Sequence, residues 1–256
     1  MKRLILIAMV VLMSSSIALA QCDMSYQNSI CEGDFDYDCD VDANDVTTFL
    51  AHFGRSQYNN PCRPNGPAPV PKTGQTTSYT TEDDGDLEKG VAWPNPRFTD
   101  NSDGTVTDNL TGLTWLKDAN CMVTNYPSFD NDGTAGDGRV TWQHAFDFVL
   151  EINVGIFSNC GDGNTDWRVP NRLELESLLN LEYSNLAMPN TMGTGQGTEG
   201  DPFTNVHSSN YWSSSTLYLD PGGTHNAWTV SMIYSYVNPY AKSSSFHPVW
   251  PVRGGH

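Results

Sequence analysis

Aspartates recur at alternate positions close to the N-terminus, and their spacing is the clearest chemical signal in the chain. If a loop is numbered from Asp34, side-chain oxygens fall at positions 1, 3, 5, 9 and 12, and a backbone carbonyl is available at position 7. Ca²⁺ is a hard cation that takes several oxygen ligands, and alternate residues of a tight loop can turn their carboxylates towards one centre. The sequence therefore predicts a Ca²⁺ site with these ligands: Asp34, Asp36, Asp38, the Asp40 carbonyl, Asp42 and Asp45.

A short helix is predicted immediately after this loop. Its apolar side chains follow the i, i+3, i+4, i+7 spacing of one helix face and are Val46, Phe49, Leu50 and Phe53. The loop and helix resemble an EF-hand calcium unit, and Asp45 in place of Glu at position 12 is similar to a dockerin repeat of cellulosome-type assemblies. Cys39 stands at position 6, where EF-hand loops carry Gly. The resemblance implies a cohesin-like partner, although one repeat is present where dockerins normally have two.

Two further stretches are candidates for binding. Asp130, Asp132 and Asp137 lie in an acidic stretch, which we interpret either as a second cation-binding turn or as a solvated surface turn. Residues 187–210 form a glycine-rich loop that leads into Tyr211 and Trp212. Because long loops on a rigid scaffold often bind ligands, these two rings are predicted either to stack on sugars or to lie in the core.

Recognisable enzyme motifs are absent from the sequence. No Gly-x-Ser-x-Gly nucleophile turn, no His-Glu-x-x-His zinc motif and no phosphate-binding loop occurs. The six histidines are scattered along the chain rather than grouped. A binding protein without catalytic activity is therefore the first hypothesis.

The N-terminal segment and the cysteines indicate export. A basic start precedes an apolar run over residues 4–13 and a small-residue cleavage site at residues 18–20, which is the pattern of a secretory signal peptide. All six cysteines follow it, and an even number in an exported chain predicts disulfides. Cys121 and Cys160 are predicted to pair with each other. The other four allow three pairings, and the sequence does not choose among them: Cys22, Cys31, Cys39 and Cys62.

Charge bounds the partners, and composition suggests the domain organisation. The chain has 30 acidic and 13 basic residues, and its net charge of −17 disfavours nucleic acid and anionic membrane surfaces as partners. No membrane insertion is expected after signal cleavage, and the predicted location is secreted or extracellular, with the cell surface and the periplasm as alternatives. We expect a signal peptide (1–20), a cysteine-rich calcium module (21–62), a proline-rich linker (63–69) and a larger domain (70–256).

The larger domain is predicted to be α+β, with two helices and short antiparallel strands. Asp103 and Gly104 mark the tight turn of a hairpin over residues 96–108. One helix is expected after Thr141, and a second after Pro170, where Asn171 and Glu174 can form a capping box. The buried face of the first helix is predicted to contain Trp142, Ala145, Phe146, Val149 and Leu150. Strand-like runs follow at residues 211–214, 227–232 and 249–253.

Several short motifs of this domain, taken in order, resemble those of the Lcl C-terminal domain family. They are residues 96–100, 103–108, 111–115, 166–171, 211–215 and 251–255. The resemblance implies a fold related to C-type lectins and to formylglycine-generating enzymes, and a role in adhesion with extracellular glycans, sulfated ones included, as ligands. It brings no agreed set of binding residues. Two alternative hypotheses stay open: a dockerin-like assembly protein, and an extracellular enzyme of the formylglycine-generating type that uses a cysteine pair.

Overall fold

The computed structural model describes residues 70–218 and 225–254, together with residues 43, 44, 46 and 47. These four residues are helical, and the Thr47 hydroxyl donates a hydrogen bond to the Ala43 carbonyl at 3.0 Å. The predicted Ca²⁺ ligands and the four N-terminal cysteines lie outside the described residues. The chain divides into two compact units, Met1–Gly66 and Pro67–His256. The account below concerns the second, larger unit.

The described part of the larger unit contains four helices. They are α1 (Asp84–Leu87), α2 (Cys121–Asn125), α3 (Trp142–Asn153) and α4 (Arg172–Ser177). The two helices predicted from the sequence are α3 and α4. The predicted capping box begins α4, because the Asn171 side chain accepts from the Glu174 amide at 3.0 Å and the Glu174 carboxylate accepts from the Asn171 amide at 2.7 Å. Within the described ranges, no helix has the length and hydrophobicity needed to cross a membrane.

Seven strands in the described residues form two antiparallel sheets. The first sheet has the order β1-β2-β3-β7 and consists of β1 (Phe98–Asp100), β2 (Thr105–Asp108), β3 (Thr114–Leu116) and β7 (Val252–Arg253). The second has the order β4-β5-β6 and consists of β4 (Asn210–Thr216), β5 (Asn226–Ser231) and β6 (Val237–Ala241). The predicted hairpin is β1–β2, with Phe98 opposite Asp108. The helices and antiparallel sheets confirm the α+β class.

Buried aromatic side chains from both sheets and the intervening loops meet in one core. Trp115 of β3 and Trp250 are fully buried, and their rings lie 5.6 Å apart in an edge-to-face arrangement. Trp250 also contacts Phe203 edge-to-face at 4.8 Å, and its Nε1 donates to the Leu116 carbonyl at 2.7 Å. Each edge-to-face pair adds about 1 kcal/mol beyond the burial of apolar area, so the loop that carries Phe203 is fixed by the core.

The buried face of α3 differs from the predicted one. Phe148 and Ile152 are buried, whereas Leu150, which the sequence pattern placed inside, is 57% exposed. Phe148 packs against Phe157, with ring centres 5.8 Å apart, and this contact sets the rotation of the helix. Thr141 occupies the N-cap position as predicted, but its side chain makes no capping hydrogen bond.

The disulfide between Cys121 and Cys160 is present, as predicted. It joins the start of α2 to the loop that follows α3, and both residues are buried. Beside it, the Tyr126 ring stacks on Phe157 at 4.1 Å, and the Tyr126 hydroxyl accepts from the Asn159 amide at 2.9 Å. The covalent bond and this stack therefore fix α2 to the same loop.

Candidate functional site

The carboxylates of the acidic turn at residues 130–137, predicted as a possible second cation site, accept hydrogen bonds from nearby backbone amides. Asp130 is fully buried, and its Oδ2 accepts from the Gly138 amide at 2.7 Å, while its Oδ1 has no hydrogen-bond partner. Burial raises the pKa of Asp130, and the charges of Asp137 and Asp132 act in the same direction. A buried carboxyl of this kind is held closer to its neutral form than a free one.

The other two carboxylates of this turn also bind backbone amides. Asp132 accepts from the Thr141 amide at 2.8 Å and lies 3.1 Å from His144 Nδ1. Burial alone would raise the pKa of Asp132, but these hydrogen bonds lower it below the usual value. Asp137 accepts from the Arg139 amide at 2.9 Å. Across the part of the chain that the structure describes, no three His, Cys, Asp or Glu residues are grouped so as to hold a metal ion.

Tyr211 and Trp212, predicted either as sugar-stacking residues or as core, are core residues. Both are fully buried in β4, so neither ring face is available to a ligand, and of the two predicted alternatives the structure supports the core. The Tyr211 hydroxyl accepts from the His207 amide at 2.7 Å, and burial raises the pKa of Tyr211. Trp212 donates through Nε1 to the Val140 carbonyl at 2.8 Å and packs edge-to-face on His247. Their polar atoms are satisfied internally, as buried tyrosine and tryptophan require.

The basic residues of the larger unit are mostly paired with its own carboxylates. Six of its nine Lys and Arg residues form ion pairs, namely Lys72–Glu88, Arg97–Asp108, Lys117–Asp100, Arg168–Glu174, Arg172–Glu176 and Arg253–Asp162. Lys242 lies 4.0 Å from the centre of the Trp142 ring and donates to the Thr216 hydroxyl. The described unit therefore presents few cations that are not already engaged by the protein.

The ion pair between Arg97 and Asp108 is buried at the base of the β1–β2 hairpin. Both side chains are fully buried, and Nε and Nη2 of Arg97 lie 2.8 and 2.9 Å from the two carboxylate oxygens. Nη2 also donates to the Ser177 carbonyl at 2.8 Å, at the end of α4. This network connects the first sheet to α4, and its burial makes it a structural element rather than a surface for a ligand.

An aromatic surface that the sequence analysis missed lies on the turn between β5 and β6. Tyr234 is 63% exposed and Tyr236 is 41% exposed. Their ring centres are 6.0 Å apart, and their planes are inclined by 23°. The Tyr-x-Tyr pair with Ser235 and Asn238 beside it was the available signal, but the sequence does not show which tyrosines of the domain are buried.

The turn carrying these tyrosines is fixed to neighbouring segments by backbone hydrogen bonds. The Asn185 amide donates to the Ile233 carbonyl at 2.7 Å, and the Ala187 amide donates to the Met232 carbonyl at 2.7 Å. The Met232 amide in turn donates to the Ser209 carbonyl at 2.9 Å. The exposed rings therefore project from a backbone that is held on two sides.

Comparison with known families accounts for most of this unit. The family model of the Lcl C-terminal domain matches residues 104–253, which is more than half of the chain. The matched range contains the disulfide, both core tryptophan contacts and the Tyr234–Tyr236 turn. No curated protein matches the sequence. The chain belongs to the Lcl C-terminal domain family.

Proposed function

We propose that this chain is a secreted, non-enzymatic binding protein, adhesin-like, that recognises extracellular glycans through its Lcl C-terminal domain. The observation that carries the proposal is the family match over residues 104–253. It is supported by a scaffold in which long connections, such as residues 187–209 before β4, are anchored in the aromatic core by buried residues that include Met188 and Phe203. Loops fixed on a rigid scaffold are the usual location of binding residues.

The paired cysteines support a binding role over an enzymatic one. A formylglycine-generating type of enzyme would use a pair of cysteine thiols, and Cys121 and Cys160 are the two cysteines within the matched range. In the structure their sulfur atoms are bonded to each other, and both residues are buried. A thiolate is the reactive form of cysteine, and a buried disulfide does not supply one.

We further propose that the N-terminal segment binds one Ca²⁺ through Asp34, Asp36, Asp38, the Asp40 carbonyl, Asp42 and Asp45. The helical backbone at Ala43 and Asn44 supports this, because Asp45 at position 12 of the loop would then lie in the first turn of a helix. Titration calorimetry of the mature chain with Ca²⁺ tests the site. Asp34→Ala with Asp45→Ala should abolish the heat of binding, and Asp130→Asn should leave it unchanged if the N-terminal loop is the only calcium site.

An assembly role for the same segment is the second candidate function. It rests on the similarity of the acidic loop and helix to a dockerin repeat, and it predicts capture by a cohesin domain only when Ca²⁺ is present. Pull-down of the mature chain by immobilised cohesins, with and without a chelator, tests it. Capture that is equal in both conditions, or absent in both, would argue against docking.

A glycan array probed with the intact mature chain tests the main proposal. The array should include neutral oligosaccharides and sulfated polysaccharides such as heparin and chondroitin sulfate. We expect saturable binding to at least one class, and none by thermally unfolded protein. Binding to no glycan of either class at micromolar protein would refute glycan recognition.

A further inference from the structure

We propose that the Tyr234–Tyr236 turn is a binding site for a neutral glycan. This inference rests on the proposed function and deepens it, because it names the surface and the class of sugar. Four observations support it: the exposure of the two rings, the way in which the turn is held, the charge of the surrounding sequence and the chemistry of the neighbouring side chains.

Exposure of this pair contrasts with the burial of the core tryptophans. Trp115, Trp212 and Trp250 are fully buried, whereas Tyr234 and Tyr236 remain 63% and 41% exposed. The two rings are within 23° of parallel, so the pair offers aromatic surface with nearly one orientation. A tyrosine combines a flat apolar face with a polar hydroxyl, and it is suited to a ligand that is apolar on one face and hydroxylated at its edges, as a sugar ring is.

The backbone that presents the rings is pre-organised. The Ser231 hydroxyl accepts from the Ile233 and Tyr234 amides, at 3.2 and 3.3 Å, and the Ser231 amide donates to the Tyr236 carbonyl at 2.9 Å. Ser235, between the two tyrosines, has a φ of +60°, which is a conformation that non-glycine residues rarely adopt. A turn held in this way loses little conformational entropy when it binds a ligand.

Strain is concentrated where this turn meets its neighbour. Asn185 and Leu186, in the segment that hydrogen-bonds to the turn, have φ values of +58° and +117°. Together with Ser235 they are three of the seven non-glycine residues with positive φ among the described residues. Such backbone strain is often retained at binding sites, where the surrounding structure maintains it.

Charge determines the class of glycan. Between Arg172 and Lys242 the sequence contains no Lys or Arg, and this stretch supplies the turn and every segment that hydrogen-bonds to it, including residues 185–187 and 209. The nearest acid along the adjoining segment is Glu182, whose pKa is lowered to about 2 by hydrogen bonds from Thr77 and Thr76, so it is anionic at neutral pH. The segments that form the turn and hydrogen-bond to it therefore contribute no cation that would bind a sulfate group, and a neutral glycan complements them better than a sulfated one.

Side chains beside the rings can supply hydrogen bonds without charge. Ser184 and Asn185 are exposed next to the turn, and Asn238 is exposed two residues beyond Tyr236. Surfaces that combine Tyr with Ser and Asn obtain contact area from the rings and adaptable hydrogen bonding from the small polar groups. Hydroxyls and amides of this kind match the hydroxyl groups of a neutral sugar.

The test compares binding of the mature chain and its variants to neutral and sulfated probes. The probes are tetrasaccharides of β-1,4-linked glucose, N-acetylglucosamine and galactose, with heparin as the sulfated counterpart. We expect wild-type binding to a neutral probe, and a Kd raised about tenfold or more by Tyr234→Ala with Tyr236→Ala, since truncation of aromatic anchors commonly has this effect. Tyr234→Trp with Tyr236→Trp should retain binding, because the aromatic faces are kept.

A matched control is Tyr218→Ala. Tyr218 is 88% exposed and follows Leu217, whose amide donates to the Asn226 carbonyl at the start of β5, whereas the tyrosine turn follows the other end of that strand. The Kd of the Tyr218→Ala variant should stay within about twofold of the wild-type value, because the residue lies outside the binding surface. Thermal unfolding of each variant verifies that the fold is kept, which the exposure of all three side chains favours.

The outcomes separate this inference from the proposed function. Neutral binding that the double alanine variant retains would overturn the site and leave glycan recognition intact. Wild-type binding to heparin alone would overturn the choice of a neutral ligand. Binding to no probe of either class would overturn both proposals. Self-association of the chain that is lost in the double alanine variant, with glycan affinity unchanged, would assign the turn to a second copy instead.

Discussion

The disulfide between Cys121 and Cys160 should supply a large share of the stability of the larger unit. It ties α2 to the loop after α3 across a sequence separation of 39 residues. Removing it frees that segment in the unfolded chain while the packing around it in the folded state is largely kept. Cys121→Ala with Cys160→Ala is the appropriate perturbation, since each single variant would leave a free thiol.

The expected loss follows from the length of the closed loop. For a loop of this size the chain-entropy relation gives about 4 kcal/mol at 25 °C. For a domain of 150 to 250 residues, each kcal/mol corresponds to roughly 2–4 °C in the midpoint of thermal unfolding. The double variant should therefore unfold roughly 8–16 °C below the wild type.

Differential scanning calorimetry of a chain that begins at Gln21 measures this shift, and the double variant leaves the other four cysteines in their original state. Thr124→Ala with Ser158→Ala is a matched control, because both residues are exposed and close in sequence to the two cysteines. The control should lower the midpoint by no more than about 2 °C, as surface substitutions usually do. A double cysteine variant that unfolds as close to the wild type as this control would refute the chain-entropy reasoning.

Three other predictions concern the larger unit. Arg97→Met should destabilise the chain by about 3–5 kcal/mol in urea unfolding, because it leaves Asp108 buried without a counter-charge. Lys117→Met breaks an exposed ion pair and should cost under about 1 kcal/mol. Burial lowers the pKa of His247 to about 4, so the unfolded chain binds the proton more readily than the folded chain does. The free energy of unfolding should therefore fall by up to about 3 kcal/mol as the pH drops from 6.5 towards 4, and His247→Gln should remove that part of the pH dependence. An unchanged pH dependence in this variant would contradict the prediction. A chain that begins at Pro67 should keep a cooperative thermal transition, and its loss would show that the two units depend on each other.

Features with local causes were predictable from the sequence. The capping box at the start of α4 depends on Asn171 and Glu174, which are three residues apart, and the structure has both hydrogen bonds. The β1–β2 hairpin follows from Asp103 and Gly104 at its turn, and it too is present. Such signals are carried by backbone chemistry within a few residues, so the rest of the fold does not override them.

Features set by distant contacts were not predictable in the same way. The rotation of α3 depends on Phe157 packing against Phe148, and helical spacing alone is compatible with a face that includes Leu150. Strand β6 was not predicted from the sequence, because Pro239 within it disfavours a strand. Among the described strands it lies at the edge of its sheet beside β5, and an edge position tolerates a proline that cannot donate a ladder hydrogen bond.

The scarcity of free cations in this acidic chain bears on how its aromatic surface at Tyr234 and Tyr236 can bind a ligand. The larger unit uses six of its nine cations in ion pairs with its own carboxylates, and the stretch from Arg172 to Lys242 has none between its ends. Attraction of an anionic ligand by protein cations therefore cannot be the main source of affinity on the surface that this stretch forms. What it offers instead is aromatic area at Tyr234 and Tyr236 and uncharged hydrogen-bonding groups, and salt screens neither of these interactions strongly. A surface of this kind can keep its affinity at the ionic strength found outside cells, which agrees with the proposed extracellular role.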